Sequence, residues 1–182
     1  PSRMVTLTAG LRSRLETLGV KVLAEPGVPL AKGFRVGGQP FPEGVLFADA
    51  SRQTGGLAGE VFAHDRQDSK NPLVDGRPAS RRRDAQIDLQ WDETQPVDGV
   101  PINNAGLRWT GVLVPKTSGE HLLGLVAEGA VRLYIDDQPV INSWRRDPER
   151  PLSATMQLEA GRAYAVRLEY VQLTRKGRVQ FG

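Results

Sequence analysis

The sequence predicts an all-β fold, an antiparallel β-barrel or two-sheet sandwich over residues 55–182, preceded by a short α/β fragment of one helix and one strand. Three observations carry this. First, side chains between Leu107 and Trp144 alternate with period two: Leu123, Leu125 and Ala127 share a face, and Val131, Leu133 and Ile135 oppose Arg132, Tyr134 and Asp136. Second, the turn clusters Pro115-Lys116-Thr117-Ser118-Gly119 and Glu128-Gly129 cut that stretch into strand-length pieces. Third, Asp136-Asp137-Gln138 reads as the corner of a tight hairpin leading into Val140-Ile141.

The elements follow in order. Val5 to Ala24 stands outside the β pattern: Thr8 suits an N-cap, Leu11, Leu15 and Leu18 recur at helical spacing, and Gly19 suits a helix end. Val20 to Ala24 then reads as a strand. A helix this short and a strand without neighbours need partners from elsewhere. Residues 1–30 are therefore expected to be a fragment of an α/β domain, and the chain a piece of a longer polypeptide. Its opening, Pro1-Ser2-Arg3-Met4, agrees with a processed or excised piece. Residues 31–54 read as a glycine- and proline-punctuated connector whose Phe34, Phe41, Val45, Leu46 and Phe47 are apolar enough to lie along a domain surface. Leu57 to Phe62, Ile87 to Trp91 and Trp109 to Val114 are strands. Three polar stretches, Asp65–Ala85, Asp92–Asn104 and Arg145–Ser153, are expected to be long loops, the usual carriers of recognition on a rigid scaffold.

The wording Arg108-Trp109-Thr110-Gly111, then Gly119-Glu120-His121-Leu122-Leu123-Gly124-Leu125, Arg132-Leu133-Tyr134-Ile135-Asp136-Asp137 and Pro139-Val140-Ile141-Asn142-Ser143-Trp144 resembles the protective-antigen-type (PA fourteen-kilodalton) β-barrel domain. Leu158 to Tyr164, Val166 to Tyr170, Leu57 to Phe62 and Ile87 to Trp91 extend the resemblance over residues 55–182. In one branch of glycoside hydrolase family 3 β-glucosidases this domain is inserted into an α/β-sandwich domain, after wording similar to Lys21-Val22-Leu23-Ala24-Glu25-Pro26-Gly27. The resemblance implies a carbohydrate-recognising accessory domain of a retaining β-glucosidase-like hydrolase, shaping the aglycone side of its active site and its chain-length preference. The alternative it implies is a stand-alone adhesin or lectin-type sugar-binding module. Expected partners are an oligosaccharide or glycoside and the catalytic domains of the parent chain. The implied compartment is periplasmic or extracellular.

Composition narrows the chemistry. With 24 Lys and Arg against 21 Asp and Glu, the net charge is only +3, and Asp84, Asp88, Asp147 and Glu149 closely follow the arginine clusters 81–83 and 145–146. Nucleic-acid binding, which wants one coherent basic face, is not expected. No apolar run is long enough for a membrane-spanning helix. With 0 cysteines and 2 histidines, thiolate and multi-histidine metal sites have no ligands. Asp136-Asp137 is not expected to be a catalytic dyad, because neighbours on a strand face opposite ways while retaining hydrolysis needs two carboxyls about 5 Å apart. The nucleophile of the resembled glycosidases sits in Ser-Asp-Trp wording absent here, so the chain alone is expected to be inactive, with no catalytic residue. Lectin-type relatives hold calcium on two consecutive aspartates where Glu128-Gly129 stand here, so neither a metal nor another cofactor is expected. Sugar-binding candidates are Trp91 with Asp92, Trp144 with Arg145 and Arg146, and His64, since pyranose faces pack on indole and hydroxyls seek carboxylate and guanidinium partners. Trp109, set among apolar residues, is expected in the core.

Overall fold

Alternating side chains become pleated strands packed face to face. The computed structural model describes residues 39–63, 77–91, 97–101, 105–144, 150–172 and 176–182, and within them the regular elements are all strands. They are β1 (Leu46–Phe47), β2 (Leu57–Ala63), β3 (Ser80–Asp84), β4 (Ile87–Trp91), β5 (Ala105–Leu113) and β6 (Gly119–Glu128), then β7 (Ala130–Ile135), β8 (Gln138–Ser143), β9 (Arg150–Leu158), β10 (Tyr164–Val171) and β11 (Gly177–Phe181). The chain divides into two units, residues 1–34 and 35–182. The first, with the expected helix and strand, lies outside the described residues.

Two antiparallel sheets form a sandwich. The larger runs β3-β2-β5-β10-β7-β8, with β1 also paired to β5; the smaller runs β4-β11-β6-β9. Every named pairing is antiparallel. Inward residues of the larger sheet (Leu57, Val61, Leu107, Trp109, Leu133, Leu168, Tyr170) meet Ile87, Leu123, Leu125, Val179 and Phe181 of the smaller one, and all are buried. Each such aliphatic or aromatic side chain stabilises the fold by about 1.5–3 kcal/mol relative to exposure. Trp109 is fully buried, as its neighbours in sequence imply, and its Nε1 donates to Asp84 Oδ2 at 2.7 Å. Arg82 closes that site, with Nη2 2.7 Å from Asp84 Oδ1 and Nε 2.9 Å from Oδ2. The hydrogen bond to Asp84 raises the Arg82 guanidinium above its ordinary range.

Several segments differ from expectation, for one physical reason: tertiary pairing rewards backbone that local polarity does not mark. Ser80–Asp84, the arginine run placed in the loop 65–85, is edge strand β3 on β2. Arg150–Ser153, placed in the loop 145–153, begins β9, paired residue by residue with β6. Within the expected loop 92–104, Val97 and Val100 exchange backbone hydrogen bonds of 2.8 and 2.9 Å around Asp98-Gly99, and both valines are buried. The connector supplies core: Val45 and Leu46 are buried, β1 pairs with the end of β5, and Phe41 meets Phe181 edge-on at 5.0 Å. Gly111 makes β1 possible, because a Cβ there would lie 2.2 Å from the Phe47 carbonyl oxygen.

Candidate functional site

The larger sheet presents its outer face as ordered rows. Register places Arg81, Glu60, Arg108, Glu169, Arg132 and Asn142 side by side on β3, β2, β5, β10, β7 and β8. The row alternates in charge. Arg81 Nε lies 3.5 Å from Glu60 Oε1, Arg108 Nη1 4.0 Å from Glu60 Oε2, and Arg108 Nε 3.8 Å from Glu169 Oε1. Arg132 Nε donates to Asn142 Oδ1 at 3.3 Å. Glu169 is buried and takes a 2.8 Å bond from Arg167 Nη1, while its Oε2 has no hydrogen-bond partner among the described residues. A buried carboxylate held by guanidinium groups is a rigid feature, since breaking either half leaves an uncompensated charge.

Rows of other chemistry flank the ladder. On one side Phe62, Ala130 and Val171 form a small apolar cluster against which Trp144 packs. Arg108 covers Phe62 at 5.2 Å and Arg132 covers Trp144 at 4.1 Å. On the other side Thr110, Arg167 and Tyr134 are in register, and the Arg167 guanidinium lies 3.8 Å from the Tyr134 ring centre. Beyond them a depression of about 210 Å³ is lined by Thr110, Gly111, Asp137, Ala165, Val166 and Arg167.

Asp136 and Asp137 form the two-residue β7–β8 turn, with positive φ of 49° and 61°. Two positive φ angles in a two-residue hairpin are the type I′ geometry, whose twist matches that of the strands. Asp136 is anchored. Its Oδ1 accepts from Ala165 N at 2.8 Å, and its own N–H donates to Ala165 O at 2.8 Å. Among the described residues Asp137 makes no such backbone bond, and it pairs loosely with Arg167, at 3.9 Å.

Of the expected site residues, Trp91 and Trp144 fall among the described ones. Trp91 lies on β4 and turns into the sandwich, partly buried, its ring stacked on Tyr170 at 5.7 Å and 15°. Trp144 lies on the outer face of the other sheet, partly buried. The two indoles therefore belong to different environments. Asp92, Arg145, Arg146 and His64 lie outside the described residues. His121 is held in its hairpin, with Nδ1 3.0 Å from the Gly119 carbonyl and Nε2 3.4 Å from Thr117 Oγ1. Arg167, Glu169, Thr110 and Asp137 were not among the sugar-binding candidates. Alternation already put Arg132 and Tyr134 on one face, but nothing in the sequence aligned them with residues of β5 and β10.

At the loop where lectin-type relatives would carry paired aspartates, backbone and aromatic groups occupy the space. The Tyr170 hydroxyl lies between the Glu128 carbonyl and Gln172 Oε1, and Gln172 Nε2 donates to the Lys176 carbonyl. A Cβ at Gly129 would lie 2.6 Å from Val171 O. Burial first, and the Glu128 charge second, push the Tyr170 phenol well above its ordinary value. Among the described residues no three His, Asp or Glu side chains gather as a metal-binding set.

Comparisons with known proteins agree on the domain and diverge on its setting. The anti-sigma-I factor RsgI3 of Acetivibrio thermocellus is 32% identical over 94 residues, covering 52% of this chain and 15% of that protein. The chain thus spans a small part of the curated relative it matches. The β-glucosidase of Kluyveromyces marxianus superposes with a TM-score of 0.60 at 19% identity, over 82% of this chain and 19% of that one. The A domain of epithelial adhesin 6 from Candida glabrata, solved with Galβ1-3GlcNAc, superposes with a TM-score of 0.53 at 14% identity, over 77% of this chain and 84% of that one. At such identities the two structural likenesses concern fold. The family model described as the PA14 domain matches residues 56–182, more than half of the sequence, and the chain belongs to the PA14 domain family.

Proposed function

We propose that this PA14 domain recognises carbohydrate as an accessory module of a retaining β-glucosidase-like hydrolase, bordering the aglycone side of the active site and favouring short oligosaccharides. The observation that carries the reading is the order of segments: Lys21 to Gly27, with wording similar to the insertion point in those hydrolases, comes before a PA14 domain that begins at residue 56. The fold likeness to a β-glucosidase supports it. The outer face of the larger sheet supplies suitable chemistry, with fixed guanidinium and carboxylate groups beside aromatic rings. Catalysis would rest with the parent's other domains, and the compartment would be periplasmic or extracellular.

The test compares hydrolysis of glucosides of increasing length by the full-length parent and by a version lacking residues 55–182. The expected outcome is a relative gain of activity on longer substrates after deletion; an unchanged length preference overturns the proposal. A second reading, a self-sufficient sugar-binding module, is favoured by the likeness to an adhesin domain of which the superposition covers 84%. Calorimetric titration of the isolated chain with glucose, cellobiose and xylobiose separates the two. Tight binding without a catalytic domain favours the module, and weak or no binding by the isolated chain favours the accessory role.

A further inference from the structure

The depression beside Asp137 combines features that a solvated sheet face does not require. Its floor is formed by Gly111, exposed Ala165 and the backbone of Val166, whose side chain faces the core, and three polar side chains rise around it from three elements: Thr110 on β5, Arg167 on β10 and Asp137 in the β7–β8 turn. At about 210 Å³ it exceeds the share of several waters, each about 30 Å³ in the liquid. Arg167 is preorganised. Its Nη1 is fixed by buried Glu169 at 2.8 Å and its plane rests over Tyr134 at 3.8 Å, so it enters a complex with little rotamer freedom left to lose.

Asp137 is the unexpected component. Its φ of 61° lies in the left-handed region, where glycine is the undemanding choice for the second position of a type I′ turn. Its side chain is 89% exposed and its cation partner among the described residues is 3.9 Å away, so no strong bond within the described structure explains why a carboxylate stands there. Strained residues that local structure does not justify cluster at ligand sites. The turn itself is clamped to β10 through both the carboxylate and the N–H of Asp136, which sets the position of Asp137 relative to Arg167.

We infer that this depression binds a single neutral pyranose unit, with Asp137 accepting hydroxyl protons, Arg167 and Thr110 donating to hydroxyl oxygens, and Ala165 on the floor meeting the C–H face of the ring. A carboxylate beside a guanidinium matches a pair of neighbouring hydroxyl groups, each of which both donates and accepts. One negative and one positive group leave no net charge for an acidic sugar to exploit. A volume of about 210 Å³ suits one ring rather than a longer chain. The inference rests on the carbohydrate-recognition reading and assigns it a place.

The experiment titrates the 182-residue chain with D-glucose, D-galactose, D-xylose and D-glucuronate, followed by calorimetry and by amide chemical shifts. Asp137→Gly and Thr110→Val are tested in parallel. Neither disturbs the core, and the first suits the turn better than the natural residue. The expected result is binding of at least one neutral sugar, with shifts centred on residues 110, 137 and 165–167, weakened about tenfold or more by each variant, as when a hydrogen-bonding partner is removed from a polar site. Neutral-sugar binding that both variants leave unchanged overturns the assignment of this site while the carbohydrate reading stands. Preferential binding of glucuronate overturns the neutral-sugar class. Failure of every sugar to bind at millimolar concentration overturns this site and carbohydrate binding by the isolated chain together.

Discussion

At the scale of single residues, the Asp136-Asp137 turn sets backbone strain against side-chain bonding, and the balance differs at the two positions. Both have positive φ, which costs a non-glycine residue roughly 1–2 kcal/mol. Asp137 recovers little of this, because its pairing among the described residues is a 3.9 Å contact made by an 89% exposed side chain, and exposed pairs contribute about 0–1 kcal/mol. Asp137→Gly is therefore expected to stabilise the fold by about 1 kcal/mol, raising the melting midpoint by roughly 2–4 °C. Asp136 instead accepts a 2.8 Å bond from Ala165 N and faces Arg162 at 3.4 Å. A hydrogen bond to a charged group contributes about 1.5–3 kcal/mol, more than the strain relieved. Asp136→Gly should thus destabilise by about 1 kcal/mol. Thermal melts of the two variants should move in opposite directions; equal shifts would mean that the Ala165 bond is unimportant.

At the scale of elements, β3 shows how a charged segment can serve as a strand. It is the edge of the larger sheet, with its outer side unpaired to any described strand. Unprotected edges invite pairing with another chain, and charged side chains discourage it. Arg81 and Arg83 are exposed there, whereas Arg82 turns to Asp84 and, at 3.4 Å, to Asp98. Replacing Arg81 and Arg83 together by valine is expected to leave monomer stability within about 0.5 kcal/mol, because the only pairing lost in the described structure is a 3.5 Å contact of a 77% exposed arginine. Light scattering at rising concentration should nevertheless show more self-association than the natural chain does. Unchanged scattering would show that the edge is protected by some other means.

At the scale of the whole molecule, stability should depend on alkaline pH and not on calcium. Tyr170 is buried between the sheets, and its folded-state pKa lies above the unfolded value of about 10. The unfolded chain then releases that proton first, so the contribution is complete below about pH 10 and is lost as pH rises toward the folded value. Denaturant midpoints should be level between pH 8 and about 9.5 and fall above pH 10, with a shallower fall in Tyr170→Phe. Calcium calls for about six to eight oxygen ligands, whereas Glu128 offers one carboxylate and its carbonyl already accepts from Tyr170. Millimolar calcium over a micromolar site would add roughly 4 kcal/mol and several degrees. Melts with chelator and with millimolar calcium are expected to coincide; a calcium-dependent rise would reveal a site assembled from other groups.

What the sequence determined by itself was local. Period-two alternation identified β6 and β7, the Asp136-Asp137-Gln138 corner identified β8 as the hairpin partner of β7, and apolar neighbours placed Trp109 in the core. These readings succeed because a strand with one buried face must alternate, and a two-residue turn must use residues that tolerate positive φ. Tertiary structure decided everything that depends on register between distant segments. It made strands of the polar runs at β3 and the start of β9, recruited Val45 and Leu46 into the core, and separated Trp91 from Trp144 onto different sheets. It also assembled Thr110, Asp137 and Arg167 around one depression, although they come from three different elements. No local pattern encodes such a meeting, because backbone hydrogen bonds are alike at every residue and only the packing of whole faces selects which strands lie side by side.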